Sequence, residues 1–167
     1  MSFEKLIHER YSVRKFKDVQ VEKEKLDKIL QAGRIAPTAR NSQSQRFKVL
    51  TSAEDLASVD VCSPCRFNAP LVILICYDLD KAPKDRAGNQ IGEMDATIAM
   101  TQMMYQAWDI GIGSCWVRHM DFDKTRELFN LPENLIPISF LPLGYATDEC
   151  TTSLNHGKRM SIEEFLF

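Results

Sequence analysis

The sequence predicts an α+β fold, and three observations carry that prediction. Along its 167 residues the expected elements run helix, helix, strand, helix, strand, long helix, strand, helix, strand, without the strict βαβ rhythm of a parallel sheet. The run "PLVILICYD" (70–78) is continuously apolar and rich in β-branched residues, the signature of a strand buried on both faces. From Ile91 to Ile110, the residues Ile91, Met94, Ile98, Ala99, Met100, Met103, Met104 and Ala107 cover most of a helix's circumference. A helix that apolar all round is central or lies against a second subunit.

The other elements follow from local signals. Phe3, Leu6 and Ile7 share one face of a short helix ending near Arg10. Leu26, Ile29, Leu30 and Gly33 repeat at helical spacing behind the solvated "EKEK" (22–25). This helix stops before Pro37, because the residue ahead of a proline is pushed out of the α region. "RFKVL" (46–50) turns Phe47 and Val49 inward and reads as a strand. Ser52 with Asp55 three residues on is a capping signature for a short helix. Residues 81–90 form a polar loop, and "GIG" (111–113) closes the long helix. "SCWV" (114–117) is a short strand, "DKTRELFNL" (123–131) a helix, and "IPISFLPLGYA" (136–146) a strand interrupted by its prolines. No repeat or low-complexity segment breaks the chain, so residues 1–167 are expected to form one domain.

Composition narrows the function classes. With 44% hydrophobic and 26% charged residues the chain matches ordinary soluble globular proteins. The longest apolar run, "LVILIC" (71–76), is too short to cross a bilayer, and the charged N-terminus lacks a signal peptide's apolar stretch. A cytoplasmic protein without membrane association is expected. Net charge is −2, but residues 1–50 hold 12 Lys and Arg against 6 Asp and Glu, whereas the rest holds 9 against 17. The basic residues are interleaved with acids, which argues against nucleic acid and for a small anion as partner. Five cysteines, an odd number, argue against a disulfide framework. Cys62 and Cys65 form one C-x-x-C, but the pair precedes a strand instead of opening a helix, so it reads as incidental thiols without redox or metal role.

Familiar catalytic signatures are missing: no G-x-S-x-G, H-E-x-x-H, G-x-x-x-x-G-K-[ST] or G-x-G-x-x-G occurs, and His8, His119 and His156 are scattered and read as surface residues. For an enzyme, this absence points to a reactive group borrowed from a cofactor. "RYSVRKF" (10–16) places Arg10, Ser12 and Arg14 at alternate positions. In an extended segment these share one face and could converge on an anion, since a guanidinium binds phosphate with two parallel N–H groups. The spacing is equally compatible with a solvated edge. "GKR" (157–159) matters only if the fold brings Lys158 or Arg159 to the same place. "APTARNSQSQRF" (36–47) leaves the second helix with side-chain amides at Asn41, Gln43 and Gln45, either a turn or a row of groups aimed at a ligand.

Together these stretches resemble the nitroreductase family of FMN-dependent oxidoreductases, in its short single-domain form. The resemblance runs through "RYSVRKF", "APTARNSQ" and "APLVILICYD", then "EMDATIAMTQMMYQA" into "GIGSCWV", "LPLGYA", and a basic residue ahead of "MSIEEF". It spans nearly the whole chain in the family's order. It implies a three-layer α/β/α sandwich around a mostly antiparallel sheet and a homodimer with FMN in two clefts at the subunit interface. By position, Arg10, Tyr11, Ser12 and Arg14 would hold the FMN phosphate and ribityl chain, joined by Lys158 or Arg159. Pro37, Thr38, Ala39, Asn41 and Gln43 would reach the flavin ring from the partner subunit or line the cleft, and Trp116, Val117 and Arg118 would lie along the ring. Where many relatives read N-x-Q-P-W-x-F, this chain has Ser44, Gln45 and Arg46, so the aromatic wall is replaced by polar side chains facing the substrate.

The chemistry implied is ping-pong. NADH or NADPH gives hydride to the flavin and leaves, and an electron-poor acceptor such as a nitroaromatic or quinone takes its place. No catalytic side chain and no metal are called for. Specialised flavin chemistry on the same scaffold (dehalogenation, enone reduction, flavin breakdown), a flavin-binding protein with little turnover, and a thiol or metal protein built on Cys62 and Cys65 are the alternatives.

Overall fold

Ser2 opens the first helix: its hydroxyl accepts from the Lys5 amide, satisfying one of the orphan donors that every helix N-terminus carries. In the computed structural model, which describes residues 2–167, this helix α1 covers Phe3–Glu9 and α2 covers Lys23–Arg34. β1 (Gln45–Leu50), α3 (Ala53–Cys62), β2 (Leu71–Asp78), α4 (Gly92–Asp109), β3 (Gly113–Ser114), α5 (Phe122–Leu128) and β4 (Leu135–Gly144) follow, with 3₁₀ turns at Ala39–Asn41 and Ile162–Phe165. Ser52 caps α3 by accepting from the Asp55 amide, and α2 ends three residues ahead of Pro37.

The four strands form one antiparallel sheet in the order β1-β2-β4-β3. Side chains alternate across a strand, and in β2 this alternation sorts the core into two halves. Leu71, Ile73 and Ile75 face Ile29 of α2 and Met100 and Met103 of α4. Val72, Leu74 and Cys76 face Val59 and Cys62 of α3 and Phe129 at the end of α5. The result is three layers, α2 and α4 over the sheet, α3 and α5 beneath it: the expected α+β sandwich.

Two expectations need correction. β4 is not interrupted by its prolines; it runs unbroken through Pro137 and Pro142 between β2 and β3. A one-residue bulge opposite Ile75 and Cys76 absorbs the irregularity and lets both Ile138 and Ser139 meet the α4 side, where the Ser139 hydroxyl reaches Met100 Sδ. The short strand is Gly113–Ser114 and not 114–117. Pro142 has no N–H to return to Cys115, which donates to its carbonyl alone, so the ladder lapses there and resumes as a single Val117–Phe140 pair.

α4 is buried along Ala96, Ala99, Met100, Met103 and Ala107, yet Met94 and Ile98 remain 66% and 42% exposed. Separately, Phe3, Leu6, Ile35 and Tyr105 line a groove of about 780 Å³ between α1, α2 and α4. Gly111, at φ +79°, turns the chain out of α4 and into β3.

Candidate functional site

The segment after α1 is laid straight against β3. Ser12 forms a parallel bridge with Ser114, and the Val13 amide donates to the Ser114 carbonyl at 3.0 Å. Val13 is fully buried against Gly113, where an added Cβ would come within 2.6 Å of it. With Val13 turned inward, Ser12 and Arg14 point the other way and join Arg10. Together they line a cavity of about 220 Å³ whose second wall is the C-terminal segment, through Ser153, Asn155, His156 and Arg159. Arg159 is brought to the cavity from 149 residues away in sequence; Lys158 does not line it.

Arg10 decides the chemistry of this cradle. Its Nη1 is buried and has no hydrogen-bond partner among the described residues. Leaving a buried polar donor unpaired costs about 1–3 kcal/mol, more for a charged one. Three guanidiniums around a space of this size, one with an idle buried donor, suit a multiply charged oxyanion.

Tyr11 fastens the tail. Its hydroxyl donates to the Cys150 carbonyl at 3.1 Å, and its ring meets Trp108 and His156 edge-on at 5.1 and 6.3 Å. Burial, followed by the neighbouring Cys150, pushes its phenol above the ordinary value. The Cys115 thiol lies beside the cradle: burial raises it, against the opposing pull of the Arg14 guanidinium and the Ser12 hydroxyl. His156, set aside in the sequence as surface, stands in the cavity wall with its Nε2 3.1 Å from the His8 carbonyl. No local signal marks it, because its neighbours are about 150 positions away.

The turn from Pro37 to Gln43 is built by its backbone. Arg40, Asn41 and Gln43 all have positive φ, a conformation that non-glycine residues rarely adopt and that must be held in place. Asp95, a buried carboxylate of α4, holds it by accepting the Ala39 amide at 2.9 Å and the Ser42 hydroxyl at 3.1 Å. The Thr38 hydroxyl accepts the Gln43 amide. Asn41 and Gln43 are exposed, and none of Pro37, Thr38, Ala39, Asn41 and Gln43 lines the cradle of its own chain.

The residues in the Pro-Trp place are not an open polar wall. Ser44 is fully buried, and Gln45 is 7% exposed with its Nε2 on the Gly33 carbonyl at 3.3 Å, tying the loop to the end of α2. Arg46 forks between the Gln43 and Gln45 carbonyls and the Asp78 carboxylate, 2.9 Å away. Beyond β3, Trp116 is 48% exposed and Val117 is buried. Arg118 is engaged elsewhere: it donates to the Ile138 carbonyl, pairs with Glu93 at 3.1 Å and stacks on Phe122.

A profile of the nitroreductase family matches residues 7–61 and 56–145. This chain belongs to the nitroreductase family. A candidate NADH dehydrogenase/NAD(P)H nitroreductase of Methanothermobacter thermautotrophicus is 31% identical to it over 169 residues, covering 95% of this chain and 85% of that protein. A solved nitroreductase family protein of Clostridium difficile 630 superposes with a TM-score of 0.94 at 38% identity, over 100% of this chain and 98% of the other. An FMN-dependent nitroreductase of Clostridium difficile R20291 matches with a TM-score of 0.79 at 31% identity, over 95% and 99%. The layered sheet described above is thus the nitroreductase fold.

Proposed function

We propose that this nitroreductase-family chain is an FMN-dependent oxidoreductase that takes electrons from NADH or NADPH and delivers them to an electron-poor acceptor such as a nitroaromatic or a quinone. Arg10 carries the proposal: it lines a cavity with Arg14, Arg159 and Ser12, a set that suits the phosphate of FMN, and its Nη1 is buried without a partner among the described residues. The cavity, about 220 Å³, suits a phosphate with part of a ribityl chain and leaves the ring system outside it. FMN, when bound, supplies the two-electron chemistry, which is why the chain needs no nucleophile of its own. The chain's part is to bind and orient. Arg10, Ser12 and Arg159 hold the phosphate end, Arg14 adds positive charge, and the Pro37–Gln43 turn offers backbone groups and two amide side chains to the ring.

The turn lies outside its own chain's cradle, so a homodimer, in which the turn of one chain meets the cradle of the other, is part of the proposal. The groove lined by Phe3, Ile35 and Tyr105, and the exposed Met94 and Ile98 of α4, are the apolar surfaces that such a dimer would cover. Residues 1–167 act as one flavin-binding domain in this reading, and five unpaired cysteines suit a reducing cytoplasm. Purified protein is expected to be yellow and to be bleached anaerobically by NADH or NADPH, and to sediment as a dimer. A colourless protein that shows no flavin signal after FMN is added sinks the proposal.

A further inference from the structure

His156 lines the cradle together with Arg10, Ser12, Arg14 and Arg159. Its Nε2 lies 3.1 Å from the His8 carbonyl, which can only accept, so Nε2 carries a hydrogen. That contact and the edge-on Tyr11 ring at 6.3 Å fix the imidazole in place. In the neutral ring Nδ1 is then a bare acceptor, unsuited to an anion; protonation makes it a donor and adds a positive charge. The ionisable groups that line its two cavities are His8, Arg10, Tyr11 and Arg14 from α1 and the segment after it, and Arg159 from its own segment. Among the described residues no carboxylate lines either cavity that His156 borders, so a bound anion is the negative charge its imidazolium meets there.

We propose that His156 is a protonation-dependent partner of the bound phosphate, so that this chain holds FMN more tightly at mildly acid than at alkaline pH. This rests on the flavin reading above. A phosphate dianion favours the imidazolium over the neutral ring, so binding is coupled to proton uptake at His156. The arginines cannot contribute to this, being always charged. As pH falls, affinity rises while His156 acquires its charge, until the phosphate takes up its own second proton near about pH 6.

Dissociation constants for FMN and riboflavin are to be measured by flavin fluorescence on the wild-type chain and H156Q, from about pH 6.5 to about pH 9. The wild-type constant for FMN is expected to rise roughly five- to tenfold across that range, with H156Q nearly flat and meeting wild type at the alkaline end. Riboflavin, which has no phosphate, is expected to show no slope with either protein. Parallel slopes in wild type and H156Q, or a riboflavin slope equal to that of FMN, overturn the proposal. A second measurement follows the imidazole NMR signal that is missing from H156Q, with and without inorganic phosphate. A titration midpoint raised by phosphate supports the contact, and a midpoint moved by neither phosphate nor FMN rejects it. Protein that responds to phosphate at His156 but does not take up FMN loses the flavin reading and keeps the anion contact.

Discussion

The Pro37–Gln43 turn and the Arg10–Arg14 cradle are both polar, but they are built on opposite plans. In the turn the strain is in the backbone, and the polar groups that hold it, Asp95, Thr38 and Arg46, find their partners inside the chain. In the cradle the backbone is ordinary extended chain, and a buried donor, Arg10 Nη1, is left without a partner. The groups that hold the turn are satisfied at home; an idle donor suits a ligand when its residue also lines a cationic cavity, as Arg10 does and Ser44 and Gln45, with their own buried idle oxygens, do not. Residue type alone cannot make this distinction, since arginine occurs in both places with different duties.

The largest effect is expected where the turn is anchored. Asp95→Ala removes the acceptor of the Ala39 amide and the Ser42 hydroxyl from a site only 3% exposed, and should cost about 3 kcal/mol in urea unfolding. Asp95→Asn, which keeps one acceptor oxygen, should lose less. In the cradle the order is reversed. Arg10→Ala should weaken FMN binding roughly 30-fold, about 2 kcal/mol, with riboflavin almost unaffected. Its unfolding free energy should change by less than about 0.5 kcal/mol, because a buried unpaired donor is lost along with the charge. Equal losses of stability in the two variants would erase the contrast between the regions.

A smaller effect comes from pH. Burial pushes the Cys76 thiol up to about 12 and also raises Cys62 and Cys115. A thiol raised on folding contributes stability that is complete below its unfolded value, near 9.0, and is lost as pH climbs toward the folded one. Unfolding free energy should therefore fall by about 1 kcal/mol between about pH 9 and about pH 10, and Cys76→Val should reduce that fall.

Much of the scaffold was legible because its signals are local. The Ser52 cap, the halt of α2 ahead of Pro37 and the two-faced burial of "LVILIC" each rest on residues within a few positions of one another. The site was legible in part: Arg10, Ser12 and Arg14 are brought together by extended backbone, and Arg159 joins them. Asp95 was invisible because an acid in the first turns of a helix ordinarily faces water, and only the packing of α4 against the loop turns it inward. His156 and Asn155 were missed because their neighbours lie at the other end of the chain. Gln45 looked like a ligand-facing amide until the fold showed it bonded to the Gly33 carbonyl.

The prolines of β4 have a consequence for the unfolded chain. "LVILIC" carries neither charge nor proline and is the kind of segment that seeds intermolecular β-aggregation. Its neighbour β4 is nearly as apolar, but Pro137 and Pro142 each remove a donor from any ladder that a second copy could build on it. Once the sheet is assembled, β2 is enclosed between β1 and β4. One rim, β3, is only two residues long and is covered by the Ser12–Val13 segment, and the other, β1, carries Arg46 and Lys48. Sheet growth from one molecule to the next is thereby discouraged both before folding and after it.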